Sequence, residues 1–345
     1  MVGSTLGWSQ NMLQGADYID LTDGVESEAP RLFSGDAWTG LDLDPESCVV
    51  RLDDATHEEI NRIAAEMRML PLPLLLRTPD QFDMPRLCGV MQEVNKLLID
   101  GPGIGVVDAL PLETLEQDEA VALFWVLGYF VGPLVAQTWD GTMMYDVTDT
   151  GKTFSYGVRA SRTRSTLVFH TDNASGRALP DMVGLICLRQ AAEGGESRFC
   201  NLGTIHNRLL EEYPKALERL YRPLYYDRQA EHAEGQPKVS CGPMFSWEGD
   251  RLCVRANVDL VRKGYDVAGV DIDVETKSAL EALIRVTADP SLWVELPLCR
   301  GQLQFLNNRR IAHYRGEYQD SPDPTLKRHL VRTWHRRTGQ PTFDG

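Results

Sequence analysis

No run of eighteen uncharged apolar residues occurs in the 345-residue chain. The most apolar short stretch, Leu70 to Leu76, is broken by Pro71 and Pro73. A membrane-spanning helix is therefore excluded. Basic residues are in short supply: 35 Lys and Arg face 50 Asp and Glu, a net charge of −15. Nucleic acid and anionic membrane surfaces need a basic face, so neither is an expected partner. A small anion held by a local basic pocket stays compatible with this balance. The segment Met1 to Gln10 lacks a basic stretch followed by an apolar one, so no secretory signal is expected. Cys48, Cys88, Cys187, Cys200, Cys241, Cys253 and Cys299 never form a Cys-x-x-Cys. Their odd number and wide spacing fit reduced thiols in a cytoplasm, not a disulfide framework or a zinc knuckle. A His-Glu-x-x-His helix, an internal repeat and low-complexity tracts are also missing. Hydrophobic residues at 43% and charged residues at 25% exclude fibrous and disordered classes.

Periodicity gives a coarse map. Ile60, Ile63, Ala64 and Met67 recur at helical spacing, predicting a helix over 54–69 with Thr56 and Glu59 as a capping box. Helices are also predicted over 85–99, 114–131 (Thr114 with Gln117 as its cap), 203–220 and 274–287, and a strand over 104–107. From about residue 134 the texture becomes β-rich, with strands predicted over 165–170, 182–189, 196–200, 251–257, 292–298, 302–306 and 328–335. Short strands separated by turn residues suggest a sandwich or barrel with added helices, an α+β class. The expected organisation is one unit. A helical or irregular extension over residues 1–100 packs on a core of residues 101–345.

Three of the seven histidines begin a His-x-acid triplet: His57 with Glu59, His170 with Asp172, and His232 with Glu234. Positions i and i+2 on a helix do not face each other, which disqualifies the first pair as a chelate. The third sits in a polar, Gly- and Pro-punctuated segment that reads as a solvated loop. The second follows the apolar, β-prone run Ser165 to Phe169. On a strand, positions i and i+2 share a side, so His170 and Asp172 aim at one point. A strand-end turn with Asp172 capping a backbone amide is the competing reading.

Further along, an alternating strand leads into Asn307-Asn308 and then to His313 in an apolar setting. Arg328, Leu330, Arg332 and Trp334 fall on one face of the last strand. Residues 300–337 carry nine Lys or Arg against three acids, a local reversal of sign that can focus anions into a cleft. Arg309, Arg310, Arg336 and Arg337 read as surface ion pairs. Two histidines and one carboxylate are the facial donor set of non-haem Fe(II) oxygenases, with positions left open for a bidentate co-substrate and dioxygen. A guanidinium suits a carboxylate through its bidentate fork.

These residues resemble the TauD/TfdA-like family of Fe(II)- and 2-oxoglutarate-dependent dioxygenases, including its clavaminate-synthase-like branch. The resemblance rests on Phe169-His170-Thr171-Asp172-Asn173, Gly194-Gly195-Glu196-Ser197, Asn307-Asn308 with His313, and Arg328 with Arg332, and spans residues 165–334. It implies a double-stranded β-helix (jelly-roll) core with flanking helices. It also implies His170, Asp172 and His313 as catalytic iron ligands. Arg328 and Ser197 would lie on the distal carboxylate of 2-oxoglutarate, and Arg332 on an acidic group of the primary substrate. Arg159, with Arg162 and Arg164, and Tyr156 are further candidates on the substrate side. The implied cofactors are Fe(II), 2-oxoglutarate and O2. The implied reaction is oxidation of an unactivated C–H bond of a small carboxylate or amino-acid-like metabolite, releasing succinate and CO2. Hydroxylation is the default outcome because Asp172 keeps the acid that halogenating relatives lack. Two other readings stay open at this point: a non-catalytic jelly-roll module that binds a metabolite, and a zinc-dependent hydrolase using the same ligands. Oligomeric state is not legible.

Overall fold

The β-rich part of the chain, joined by two strands that precede residue 134, forms two sheets that face each other. The computed structural model describes residues 16–22, 25, 29–153 and 155–344. The larger sheet has seven strands. Val49–Val50, Ile104–Val107, Leu303–Asn307, Met182–Arg189, His329–His335 and Leu134–Val135 follow one another across it, and Tyr145–Val147 also pairs with His329–His335. Only Val49–Val50 runs parallel to its neighbour. The smaller sheet has four antiparallel strands in the order Trp293–Glu295, Ser197–Asn201, Ile311–Arg315, Leu167–His170. Ile104, Val183, Leu306 and Trp334 from the larger sheet pack between the layers against Phe199, Val294 and Ile311 from the smaller. This is the jelly-roll core, and the class is α+β as expected.

The larger sheet is buried on both faces, as the all-buried run Leu303–Asn307 requires. Leu303 and Phe305 point outward to three helices, α1 (Asp54–Met69), α2 (Pro85–Ile99) and α3 (Gln117–Val131). Ile60, Leu87, Met91 and Phe124 cover them there. Gln304 and Leu306 alternate to the inner face. A second helical group packs on the smaller sheet's side: α4 (Leu202–Glu212), α5 (Pro214–Leu220), α6 (Val258–Ala268) and α7 (Val274–Thr287). A three-stranded sheet of Tyr18–Asp20, Val239–Gly242 and Leu224–Asp227 joins this layer.

The strongly periodic helices α1, α2 and α7 match their predicted spans, and the differences elsewhere have local causes. Pro214 has no N–H and disfavours helical backbone at Tyr213, so 203–220 splits into α4 and α5. The strand predicted over 251–257 stops at Val254. Asn257 instead caps α6, accepting the Leu260 N–H at 2.9 Å, and that helix went unpredicted. α3 starts at Gln117, where the Glu116 N–H is taken by Glu119 at 2.9 Å. Arg336 is no surface ion pair: it is buried and donates to the Gln340 and Thr342 carbonyls.

The expected Thr56/Glu59 capping box is also absent. Asp53 caps α1 through the Thr56 N–H at 2.8 Å. Buried Glu59 instead accepts the Leu87 N–H at 2.8 Å and the Arg86 N–H at 3.2 Å, capping α2 from outside that helix. Glu59→Ala would leave two helix-terminal donors without acceptors. We expect a loss of about 1–2 kcal/mol in a denaturant titration. A midpoint unchanged from the parent would contradict this role.

Candidate active site

Strand register brings the two histidines together. His313 on Ile311–Arg315 lies directly opposite His170 on Leu167–His170. Their ring centroids are 4.1 Å apart. The His170 Nδ1 lies 2.8 Å from the Val168 carbonyl, which can only accept. Nδ1 therefore carries the proton, and the Nε2 lone pair is free to ligate. Two residues beyond the strand, Asp172 turns back onto the same point. Its Oδ1 is 3.7 Å from His170 Nε2 and 3.8 Å from His313 Nε2. One donor atom from each of the three residues lies within 4.8 Å of the others. That spacing suits a single divalent cation.

The turn is held from the C-terminal segment. The Asp172 N–H donates to Asn308 Oδ1 at 2.8 Å, while the Asn308 amide donates to the Asp172 and Pro180 carbonyls. Asn173 follows in left-handed backbone at φ 58°, which lets the chain leave the site at once. Asn308, noticed in the sequence as part of a motif, thus clamps the backbone of a donor.

The carboxylate has its own support. Trp334 Nε1–H donates to Asp172 Oδ2 at 2.7 Å, and Arg332 Nη1 lies 3.1 Å from the same oxygen. Gln137 Oε1 fixes the Arg332 Nε–H at 2.8 Å. Burial pushes the Asp172 carboxyl up, but Arg332, the two imidazoles and the Trp334 N–H outweigh it and hold it at about 2. Burial pushes His313 down to about 3, aided by His170, and burial likewise lowers His170. Both imidazoles are thus neutral near pH 7, so Arg332 and Trp334 keep Asp172 ionised there. Neutral imidazoles and an ionised carboxylate are the protonation states that metal ligation needs.

Two cavities meet at this cluster and share Ser161, Leu167, His170 and Arg332 as a wall. One runs between the sheets and is lined by Ser197, Gln304, His313, Arg315 and Arg328. Four of the residues that line it each keep one buried nitrogen without a partner: Arg328 Nη1, Arg315 Nε, Gln304 Nε2 and His313 Nδ1. Buried donors without acceptors are costly, so the cavity is built for an acceptor-rich anion. Gly194 and Gly195, both left-handed at φ 73° and 80°, bring the chain under Arg328. A side chain at Gly194 would strike the Glu317 carbonyl. The 2-oxoglutarate implied by the motifs fits this donor set.

The other cavity opens on Asp172 and is lined by Arg159, Arg228, Gln229, Glu231, Asn257 and Trp334 among others. Arg159 is buried there. Its Nη2 donates to the Gln137 carbonyl and pairs with Glu231 at 2.8 Å, while its Nε has no partner. Gln229 and Ala230, consecutive left-handed residues, carry Glu231 to that position, and the buried Asp227 accepts the Gln229 N–H at 2.7 Å.

The structure therefore brings together His170, Asp172 and His313, with Ser197 and Arg328 in one cavity and Arg159 in the other. Arg332 borders both, but its guanidinium is engaged by Asp172 and Gln137. Tyr156 joins neither: it is half-exposed, and its hydroxyl lies 2.9 Å from His232 Nε2. Arg162 reaches the Asp146 carbonyl and Arg164 is exposed. Reasoning from sequence did not find Gln137, Glu231, Gln304 or Arg315. Only Arg315 left a signal, its alternation with His313.

Residues 70–334 match the family model described as "Taurine catabolism dioxygenase TauD, TfdA family". FR-33289 synthase of Streptomyces rubellomurinus is 27% identical over 270 residues, covering 73% of this chain and 76% of the relative. An asparagine oxygenase solved with Fe(II), 2S,3S-3-hydroxyasparagine and succinate superposes with a TM-score of 0.61 at 18% identity, covering 84% of this chain and 94% of that one. The non-heme iron oxygenase OrfP, solved with Fe and alpha-ketoglutaric acid, gives 0.59 at 18% identity with the same coverage. At these identities the two structures speak for the fold alone.

Proposed function

The chain belongs to the TauD, TfdA family of dioxygenases, and from that premise we propose that His170, Asp172 and His313 hold its iron and that the cavity of Ser197 and Arg328 holds 2-oxoglutarate. The enzyme is an Fe(II)- and 2-oxoglutarate-dependent dioxygenase that hydroxylates a small molecule. The binding-module and zinc-hydrolase readings give way to that membership. The observation carrying the residue assignment is the convergence of three donor atoms on the wall between two cavities, one of them lined with unpartnered nitrogens. Bound iron with 2-oxoglutarate and dioxygen supplies the oxidation of a C–H bond to C–OH, with 2-oxoglutarate leaving as succinate and CO2.

The chain's own residues supply geometry. Val168 and Asn308 orient His170 and Asp172. Arg332 and Trp334 keep the carboxylate ionised and fixed. Arg328 and the Ser197 hydroxyl seat the far carboxylate of the co-substrate. The primary substrate takes the other cavity, where Arg159, buried in the wall, supplies a cation for an acidic group. Arg228 adds a second guanidinium to that wall. A carboxylated, amino-acid-like substrate suits these cations facing Glu231, and the asparagine oxygenase holds a hydroxylated amino acid. All seven cysteines are free, which suits a reducing, cytoplasmic setting.

The test is anaerobic. Adding Fe(II) and then 2-oxoglutarate to metal-free protein is expected to produce a weak visible metal-to-ligand charge-transfer band. The band should vanish in His313→Ala. Folded parent protein that gives no band would overturn the assignment.

A further inference from the structure

Arg315 stands two residues after His313 on the same strand, so both side chains face the same side. It also lies directly across from Ser197 in the antiparallel pairing with Ser197–Asn201. Directly opposed residues share a face with Cβ atoms about 5 Å apart. A ligand group touching the Ser197 hydroxyl therefore lies beside Arg315. The Arg315 side chain is 7% exposed and lines the same cavity as Arg328. Its Nη2 donates to the Thr163 carbonyl at 2.9 Å and to that of Ser165, while its Nε is buried without a partner. Both guanidiniums flank Tyr318, at 5.0 Å for Arg315 and 4.9 Å for Arg328 from the ring centroid. Neither has a carboxylate within ion-pair distance among the described residues.

Two buried cations beside one ring repel each other, and an anion between them would offset that repulsion. We propose that Arg315 is a second cation for the distal carboxylate of the co-substrate, acting with Arg328 and Ser197 to select 2-oxo-dicarboxylates over 2-oxo-monocarboxylates. The inference rests on the assignment of this cavity to 2-oxoglutarate. A purely structural Arg315, stapling Thr163 and Ser165, would act on both kinds of ligand alike. The comparison that separates the two is between ligands rather than variants alone.

Binding is measured by calorimetry on the Mn(II)-loaded 345-residue chain, which needs no turnover. The ligands are 2-oxoglutarate and 2-oxopentanoate, which has the same chain length and a methyl in place of the distal carboxylate. Parent protein is expected to favour 2-oxoglutarate strongly. R315Q should weaken 2-oxoglutarate by roughly 10- to 100-fold, the span of a charge-assisted contact. Its affinity for 2-oxopentanoate should stay within about threefold, since that ligand has no charge for Arg315 to meet. Equal weakening of both ligands, or of neither, overturns the proposal. If R315Q does not fold, R315K keeps the cation but loses the fork. A loss of roughly 3- to 10-fold confined to 2-oxoglutarate is then expected, and its absence is the overturning result. Parent protein that binds no 2-oxoglutarate sinks the cavity assignment itself, a different failure from an unchanged ligand preference in R315Q.

Discussion

Asp172→Ala is expected to eliminate iron binding and to cut coupled succinate formation by roughly a thousandfold or more, since a metal ion's contribution to such a site is worth several kcal/mol. The substitution removes one of three donors. It also leaves Arg332 Nη1 and Trp334 Nε1 buried beside nothing that accepts. Breaking a buried ion pair from one side costs about 3–5 kcal/mol, so the alanine variant should also be less stable. Asp172→Asn separates the two effects: it keeps an oxygen for Trp334 but loses the charge. It should be more stable than the alanine variant, because Trp334 keeps an acceptor, and still fail to turn over. Trp334→Phe grades the series. It keeps the ring in the inter-sheet core, removes one hydrogen bond to Oδ2, and should weaken iron by roughly 10- to 100-fold. Metal titration together with succinate yield checks all three. Asp172→Asn with parental yield would contradict the assignment.

Arg328→Met should show the opposite sign in stability and function. The Arg328 guanidinium is almost wholly buried, burial lowers its pKa, and Nη1 has no partner. A charge held in that way costs stability until an anion arrives. A methionine of similar volume should therefore raise the melting temperature of the ligand-free protein. The same change should weaken 2-oxoglutarate by roughly 30-fold to several thousandfold, the range for a desolvated charge pair worth about 2–5 kcal/mol. Metal affinity should be unchanged, because Arg328 touches none of the three donors. Thermal shift with and without 2-oxoglutarate reads both effects at once. A variant that melts lower than the parent yet still binds the co-substrate would overturn this view of Arg328.

Local rules carried much of the reading and failed where a partner lies far away in sequence. His170 and Asp172 were legible because strand alternation followed by a turn is decided within three residues. The helix periods of α1, α2 and α7 were equally local. Glu59 was misread for the same reason: its spacing from Thr56 fits a capping box, but its acceptor oxygens serve amides 27 and 28 residues on. The Asn257 cap was hidden at the end of a run that read as strand. Arg315 was one of nine basic residues in its segment, and composition does not tell a buried guanidinium from a surface one. Its role depends on standing opposite Ser197, a register set only when the smaller sheet forms. Tyr156 was expected on the substrate side, yet it lines neither cavity and its hydroxyl lies beside His232.

The seven-stranded sheet ends in very short strands. Val49–Val50, two residues long, closes one side, and Leu134–Val135 and Tyr145–Val147, two and three residues long, share the other. Pro45 opens the turn before the first, and Pro133, which has no N–H to offer, precedes the second. A neighbouring copy finds almost no row of free amides and carbonyls along which to add a strand. The same short ends that complete the scaffold also guard it against edge-to-edge polymerisation, and lengthening either one should be felt first as aggregation on concentration, before any change in catalysis.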